Sequence, residues 1–381
     1  MKRANILFVI LQMEMGGTER LVYNLALKLD RNLFNPSVAW FAGDRILKEF
    51  KDLEIPLYQI PKVRRIDFNT MRMLGSVIGK NNIDIVNAHH FMPMFYSFYG
   101  SKIKNHVNLV YTEHSEWEIE HISWKWKIIG HHLLNRADAS VGVSAPVSKR
   151  IQTNFKTADS KTVTIRNGVN LDAFNRSYDK VTLKAELGLS VCDKVIGIVA
   201  NFRRVKNHLF LLKAFSELIK EYDHVKLLLL GQGFDFDPEN SEQEIRNFIN
   251  EKGLNKSVLM PGYRPDIPAL LKLMDIFCLT SFKEGLPISL IEAMAAGLPV
   301  VGTNVEGIRD VILPQKNGFL INVDDVRGLK EALLALLKNE SLCRKMGEES
   351  RSLSIKHYSL DHCITQYQDL FLSIMKNNNK R

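Results

Sequence analysis

Short runs of Val, Ile and Leu alternate with amphipathic stretches of about 10 to 15 residues along most of the chain. An apolar run without alternation is a strand buried on both faces, and the helical period that follows supplies the crossover a parallel neighbour requires. Two series of strands are predicted. The first comprises residues 5–11, 38–41, 83–88, 109–112, 139–143 and 162–165; the second comprises 195–200, 225–230, 258–260, 276–279, 299–301 and 319–321. Each series suffices for its own doubly wound parallel sheet, so the expected fold class is α/β with two Rossmann-like domains. Open parallel sheets bind ligands beyond the carboxyl ends of their strands, which directs attention to the strand-to-helix loops and to a cleft between the two carboxyl edges.

A polar, irregular stretch over 167–193, with one helical pattern near 183–187, marks the expected boundary between a domain at 1–175 and another at 190–357. Past Val323 the pattern is helical to the end, with Leu329, Leu333, Leu336 and Leu337 at helical spacing and a last segment at 358–381. Lys2 and Arg3 before an apolar run imitate a secretory leader. That run passes into residues 14–19 without a small-residue cleavage site and reads as a buried first strand. No apolar run approaches the roughly 18 residues of a membrane span, so any membrane contact is expected to be peripheral.

Composition narrows this picture. With 45% hydrophobic and 24% charged residues among 381, disordered, fibrous and small disulfide-rich classes are excluded. Cys192, Cys278, Cys343 and Cys363 show no two-residue spacing, and they read as buried free thiols in a reducing, cytoplasmic compartment. The net charge of +9 is uneven: residues 1–180 hold 25 Lys and Arg against 17 Asp and Glu, an excess of 8, and the rest hold 26 against 25. A basic first half suits nucleic acid, an anionic membrane or a phosphorylated substrate, and the count does not choose.

The most informative segment is TSFKEGLPISLIEAMAAGLPVV, residues 280–301. A strand ends at Leu279, a loop carries Glu284 and Gly285, Pro287 suits a first helical turn, and Gly297 ends the helix before the next strand. Two carboxylates then flank a helix mouth whose amides near Leu286, Ile288 and Ser289 favour anions and hydroxyl oxygens, and each can hold a vicinal diol. In isolation, Glu284 would be an ordinary loop acid and Glu292 a solvated helix acid. Elsewhere, Gly16 and Gly17 follow a strand and open a helix, where a backbone approaches a ligand closely or simply turns. The three-glycine dinucleotide fingerprint is absent there, which argues against an NAD enzyme.

With its flanks, the pattern Glu, seven residues, Glu, then Ala-Met-Ala-Ala-Gly-Leu-Pro-Val-Val resembles the signature of the retaining glycosyltransferases of family 4. The likeness extends over nearly the whole chain, through MEMGGTERLVYNLA at 13–26, residues 83–90, VYTEH at 110–114, VGVSA at 141–145, IRNGVNLDAF at 165–174, VANFRRVKNH at 199–208, residues 230–233 and 262–268, and Met346-Gly347. The resemblance implies a GT-B fold, two Rossmann-like domains facing across a cleft with a C-terminal helix crossing back to the first. It also implies a nucleotide-sugar donor and no metal or other cofactor.

By the same resemblance, Glu284 would hold hydroxyls of the donor sugar and Glu292 the ribose, with the backbone of Gly285, Leu286, Pro287 and Ile288 against the sugar and diphosphate. Lys206, just past a strand end, would neutralise the leaving diphosphate. The family commonly has Arg five residues before this Lys; here Asn201 stands there, and Arg203 or Arg204 would supply the guanidinium, Arg203 being preferred. His114 would sit at the reacting centre, where a neutral imidazole positions a hydroxyl. His89 and His90 after the strand at 83–88 are acceptor candidates, and a zinc site from His89, His90 and His114 lacks a matching carboxylate or Cys pattern.

No carboxylate nucleophile of the glycosidase kind is identifiable. The acids Glu113, Glu116, Glu118 and Glu120 are explained equally by an exposed helix, and same-face substitution is the family expectation. For the acceptor, Lys62, Arg64 and Arg65 could meet a diphosphate or an anionic lipid head, and Trp117, Trp124 and Trp126 among lysines could form an interfacial patch or pack in a core. The function expected is retaining sugar transfer from a UDP- or GDP-linked donor to a lipid-linked or surface-polysaccharide acceptor, such as lipopolysaccharide or capsule. It would take place in the cytoplasm, with peripheral contact at the inner membrane face left open. A nucleotide-sugar epimerase on the same fold is the alternative; no nucleic-acid module is recognisable.

Overall fold

The computed structural model describes residues 3–14, 16–63, 66–102, 107–115, 119–234 and 237–378. The chain divides into two compact units, Met1–Gly168 with Leu360–Arg381, and Val169–Ser359.

In the first unit β1 (Ala4–Gln12), β2 (Phe34–Ala42), β3 (Leu57–Gln59), β4 (Ile85–His89), β5 (Asn108–Glu113), β6 (Ala139–Gly142) and β7 (Thr162–Thr164) form one parallel sheet in the order β3-β2-β1-β4-β5-β6-β7. Ile6, Phe8, Val9 and Ile10 of β1 are fully buried, as a central strand covered on both faces requires. The short edge strand β3 has no apolar run behind it, and the hydrophobic pattern misses it for that reason. Crossover helices start where polar caps permit: Asp67 accepts from the amides of Asn69 and Thr70, and Ser144 from that of Val147 ahead of a helix with Pro in its first turn.

The helix Leu360–Asn378 belongs to this first unit. Leu360, Cys363, Ile364, Tyr367, Phe371 and Ile374 recur at helical spacing and enter its core, where Phe371 lies 6.4 Å from Phe8 and 6.2 Å from Phe34 by ring centroids. At the rim Lys28 Nζ meets Asp361 at 2.7 Å, and the Asp30 amide donates to Gln368 Oε1 at 2.7 Å.

In the second unit β8 (Lys194–Val199), β9 (Val225–Leu230), β10 (Val258–Gly262), β11 (Ile276–Leu279), β12 (Val300–Thr303) and β13 (Gly318–Ile321) form a parallel sheet in the order β10-β9-β8-β11-β12-β13. The chain joins this unit earlier than the polar stretch suggests. Val169 and Phe174 are part of its core, and the Val169 amide donates to the Tyr358 carbonyl at 2.9 Å. The strand order reverses between β1 and β4 in one sheet and between β8 and β11 in the other, the points where doubly wound sheets open a crevice for ligands.

One expectation about the thiols is corrected. Cys278 and Cys363 are buried, burial pushing the latter up to about 12, and Cys343 is half-buried, but Cys192 is exposed because it sits in the turn that precedes β8.

Candidate active site

Loops after β1, β4 and β5 bring Thr18, Glu19, His89, His90, Glu113 and His114 together at the first reversal point. Glu113, the last residue of β5, has a fully buried side chain and is the hub. Its Oε1 accepts from the amides of His114 at 2.7 Å and Ser115 at 3.0 Å and pairs with His90 Nδ1 at 3.1 Å; its Oε2 accepts from the Tyr111 hydroxyl. Reading Glu113 as part of an exposed acidic helix is thus corrected: the strand period carries its side chain inward, and Glu116, Glu118 and Trp117 lie outside the described residues.

His90 bridges from this carboxylate to Thr18 Oγ1, 2.8 Å from its Nε2. Its backbone φ of 73° is costly for a non-glycine residue, about 1–3 kcal/mol, and is held by the amide's bond to the Thr112 carbonyl at 2.9 Å. His89 Nδ1 lies 2.9 Å from His114 Nε2, with the rings stacked at 5.2 Å. Burial first, and neighbouring His90 second, push His89 down to about 3; the same two causes, with His89 added, push His114 well below the ordinary range, so both rings are neutral at physiological pH.

One proton occupies the His89–His114 contact, and the buried Nε2 of His89 has no partner among the described residues. A proton on that nitrogen would be a buried donor with nothing to bond. The lower-energy assignment places it on His89 Nδ1, donating to His114 Nε2, which leaves His114 with an Nδ1–H donor.

Gly16 caps the helix Gly17–Lys28 in extended conformation, and both glycines are exposed. A Cβ on Gly16 would stand 2.5 Å from Glu19 Oε2, so its bareness admits the Glu19 carboxyl into the first turn. Burial pushes Glu19 up to about 7 despite its own amide and His90. Thr18 and Glu19 carry no sequence signal apart from a helix start after two glycines. Beside this cluster a cavity of about 420 Å³ is lined by Leu11, Lys62, Phe91, Met92, Ile122 and Trp126, with His90 on its wall. Trp126 packs edge-on against Phe91 and Phe95, whereas Trp124 is exposed. Arg64 and Arg65 lie outside the described residues.

In the second unit the loops after β8 and β11 meet. Lys206 ends a 3-10 turn over Arg204–Lys206 and Glu284 lies beyond β11; Nζ and Oε1 are 2.6 Å apart, with 25% and 11% of the side chains exposed. Ser281 Oγ donates to the same oxygen at 2.5 Å. Thr280 Oγ1 donates to the carbonyls of Lys206 at 3.2 Å and Asn207 at 3.1 Å, tying the loops together from beneath. Gly307, at φ 82°, is the residue that sequence reasoning missed: a Cβ there would lie 2.5 Å from the Glu284 carbonyl oxygen.

The helix Ile288–Ala295 begins at Pro287 as its cap, where the amides of Leu290 and Ile291 turn back to the Pro287 carbonyl. Gly285, Leu286 and Ile288 are half-buried at this mouth, and Glu292 is half-buried in the second turn. Gly347 packs against the Gly297 carbonyl, which accounts for a glycine after Met346. Asn201 follows β8 and its carbonyl accepts from the Arg203 amide at 2.8 Å. Arg203 pairs with Asp237 at 2.7 Å and Arg204 with Glu244 at 2.6 Å, so each guanidinium has a carboxylate partner on the segment after β9.

This pairing of doubly wound sheets and loop constellations has a match in known families. The model described as Glycosyltransferase Family 4 matches residues 15–173, and that described as Glycosyl transferases group 1 matches residues 179–353. The chain belongs to glycosyltransferase family 4, and the fold is GT-B. It is similar to N-acetyl-alpha-D-glucosaminyl L-malate synthase of Bacillus anthracis, 27% identical over 346 residues, covering 86% of this chain and 85% of that one. It also resembles the UDP-Gal:alpha-D-GlcNAc-diphosphoundecaprenol alpha-1,3-galactosyltransferase of Escherichia coli, 29% identical over 217 residues, 56% of this chain and 54% of that one. Among solved structures, Anabaena HepE in complex with UDP and glucose superposes with a TM-score of 0.85 at 20% identity, covering 97% of this chain and 99% of that one.

Proposed function

We propose that this glycosyltransferase moves a sugar, with retention at the anomeric carbon, from a uridine or guanosine diphosphate donor held by the second unit to a lipid-linked saccharide held by the first. The observation that carries the donor half is the Lys206–Glu284 pair, half-open at the strand reversal and fixed by Ser281 and Thr280. Lys206 neutralises the departing diphosphate, Glu284 takes hydroxyls of the sugar, Glu292 takes the ribose, and the backbone from Gly285 to Ile288 lies against the diphosphate. The C1–O bond to the diphosphate breaks, the acceptor oxygen bonds C1 from the same face, and the acceptor proton passes to an oxygen of the leaving phosphate. His114 offers its Nδ1–H to a substrate hydroxyl as a neutral donor.

The acceptor half rests on the cavity beside His90, whose largely apolar walls and Lys62 suit a prenyl chain followed by a diphosphate. The Escherichia coli relative carries a diphosphoundecaprenol acceptor in its name. Val63, Phe68, Trp124 and Ile128 are exposed apolar side chains on the segments that supply Lys62 and Trp126 to that cavity, and Lys125 and Lys127 stand among them, a composition suited to peripheral contact with an anionic membrane. No described helix is long and apolar enough to cross a membrane.

The test has two arms. Thermal midpoints are measured with UDP- and GDP-sugars, since ligand at about 100 times its Kd adds roughly 2.7 kcal/mol; the stabilising donor is then given a polyprenyl diphosphate-linked sugar, and the product anomer is read by NMR. Retained product, lost in Lys206→Ala and Glu284→Gln, is expected. An inverted anomer or a glycosyl-enzyme seen by mass spectrometry overturns same-face substitution, and epimerised donor without acceptor overturns transfer.

A further inference from the structure

At the end of the second sheet away from the donor loops, three potential metal ligands converge. Cys192 and Asp193 immediately precede β8 and His224 immediately precedes β9, and one ligand atom from each lies within 4.8 Å of the other two. We propose that Cys192, Asp193 and His224 bind a divalent cation of the zinc class and clip together the amino ends of two paired central strands.

The backbone fixes this cluster, whereas chance surface clusters depend on flexible side chains. β8 and β9 are in register from Lys194 opposite Val225, and the Lys194 amide donates to the His224 carbonyl at 2.7 Å, so the residues bearing sulfur and imidazole are held by the sheet itself. Asp193 is 4% exposed and its Oδ2 accepts from the Ser190 amide at 2.8 Å, which locks the carboxylate. Cys192 Sγ stands 3.9 Å from His224 Nδ1. A tetrahedral zinc ion with ordinary Zn–S and Zn–N bonds separates two such ligands by about 3.6 Å, a contraction that two exposed side chains make by small rotations.

Sulfur, nitrogen and a carboxylate oxygen together select a borderline-soft ion over magnesium or calcium. Ser190 Oγ lies 3.1 Å from the sulfur, placed to support a thiolate as an outer partner. A cavity of about 210 Å³ bordered by Asp193, His224, Tyr222 and Ser257 leaves room for water as a fourth ligand. Lys184 Nζ sits on the carbonyls of Val191 and Asp193 at 2.7 Å each; its charge opposes the dication, so affinity below that of closed four-ligand sites is expected. The site lies a strand length, roughly 20 Å, from the donor loops, so its role is stabilising and it stands independently of the reading of the active site.

The test uses the full chain, stripped with a chelator and kept reduced, titrated with cobalt as the spectroscopic probe. One thiolate-to-cobalt charge-transfer band per chain, displaced by zinc and lost in both Cys192→Ser and His224→Ala, is expected, and Asp193→Asn should weaken binding about tenfold. Zinc should raise the thermal midpoint of wild type by a few degrees and leave those of Cys192→Ser and His224→Ala unchanged. Both residues are exposed, so each variant folds with the midpoint of metal-free wild type. Absence of the band, or a band that survives in Cys192→Ser, overturns the proposal.

Discussion

The two units share a topology and treat charge in opposite ways. At the reversal point of the first sheet the polar groups are buried and paired around Glu113, and His89 and His114 are held neutral by burial. At that of the second sheet Lys206 and Glu284 form an ion pair with part of each side chain exposed. Under the proposed function this contrast is expected, since an uncharged sugar hydroxyl is oriented by fixed neutral donors and a diphosphate is met by a cation. The difference teaches that a shared fold fixes where chemistry can occur, and the depth at which the polar side chains sit fixes which kind.

If that contrast is right, Lys206→Ala should lower the turnover of glycosyl transfer by about 10²–10³-fold, as removal of a leaving-group stabiliser does, with little change in the folded state. Kinetics alongside thermal denaturation separate the two, and an unchanged turnover would break the comparison at its charged end. Glu113→Ala should act the other way round, costing about 3 kcal/mol in urea unfolding because it removes the buried acceptor shared by His90 Nδ1, the Tyr111 hydroxyl and the amides of His114 and Ser115.

Glu19 sharpens the point through pH. Its folded pKa of about 7 exceeds the unfolded value of 4.5, so the unfolded carboxyl loses its proton first. Stability then falls as pH rises from about 4.5 to 7, by at most roughly 3 kcal/mol, and the loss is complete above that window. Glu19→Gln should flatten this slope and be the more stable form at pH 8. His89→Leu should release His114 from its tautomer and slow turnover about tenfold. Histidine nitrogen NMR reads the change directly, and an Nε2–H tautomer of His114 in wild type would falsify the assignment. The smallest effect is expected at Arg204→Ala, where loss of an exposed pair with Glu244 should leave the urea unfolding midpoint almost unchanged.

Much of this was legible in the sequence. Continuous apolar runs located most strands of both sheets to within a residue or two, because strands covered on both faces leave no polar positions to confuse the pattern, although β2 begins four residues before its run and β3 has none. Glu284, Lys206 and His114 were singled out by the family resemblance, and each lies past the end of such a run. Glu113 was misread because a carboxylate at a strand end looks like the acids after it, and only the strand's side-chain alternation and the buried Tyr111 show it facing inward. Gly307 lies more than 20 residues from the loop it accommodates, and no local pattern records that approach. The polar stretch after Gly168 suggested a linker, yet Val169 and Phe174 anchor it to the second unit.

The helix Leu360–Asn378 has a consequence for how the chain comes to be folded. Its apolar face completes a core whose other walls, among them Phe8 and Phe34, are translated some 300 residues earlier. On the ribosome the second unit can close as soon as its own strands emerge, while the first waits with an open groove until the last helix arrives. The half that is synthesised first is therefore finished last, and a chain that stops short of Leu360 lacks the helix that seals that groove.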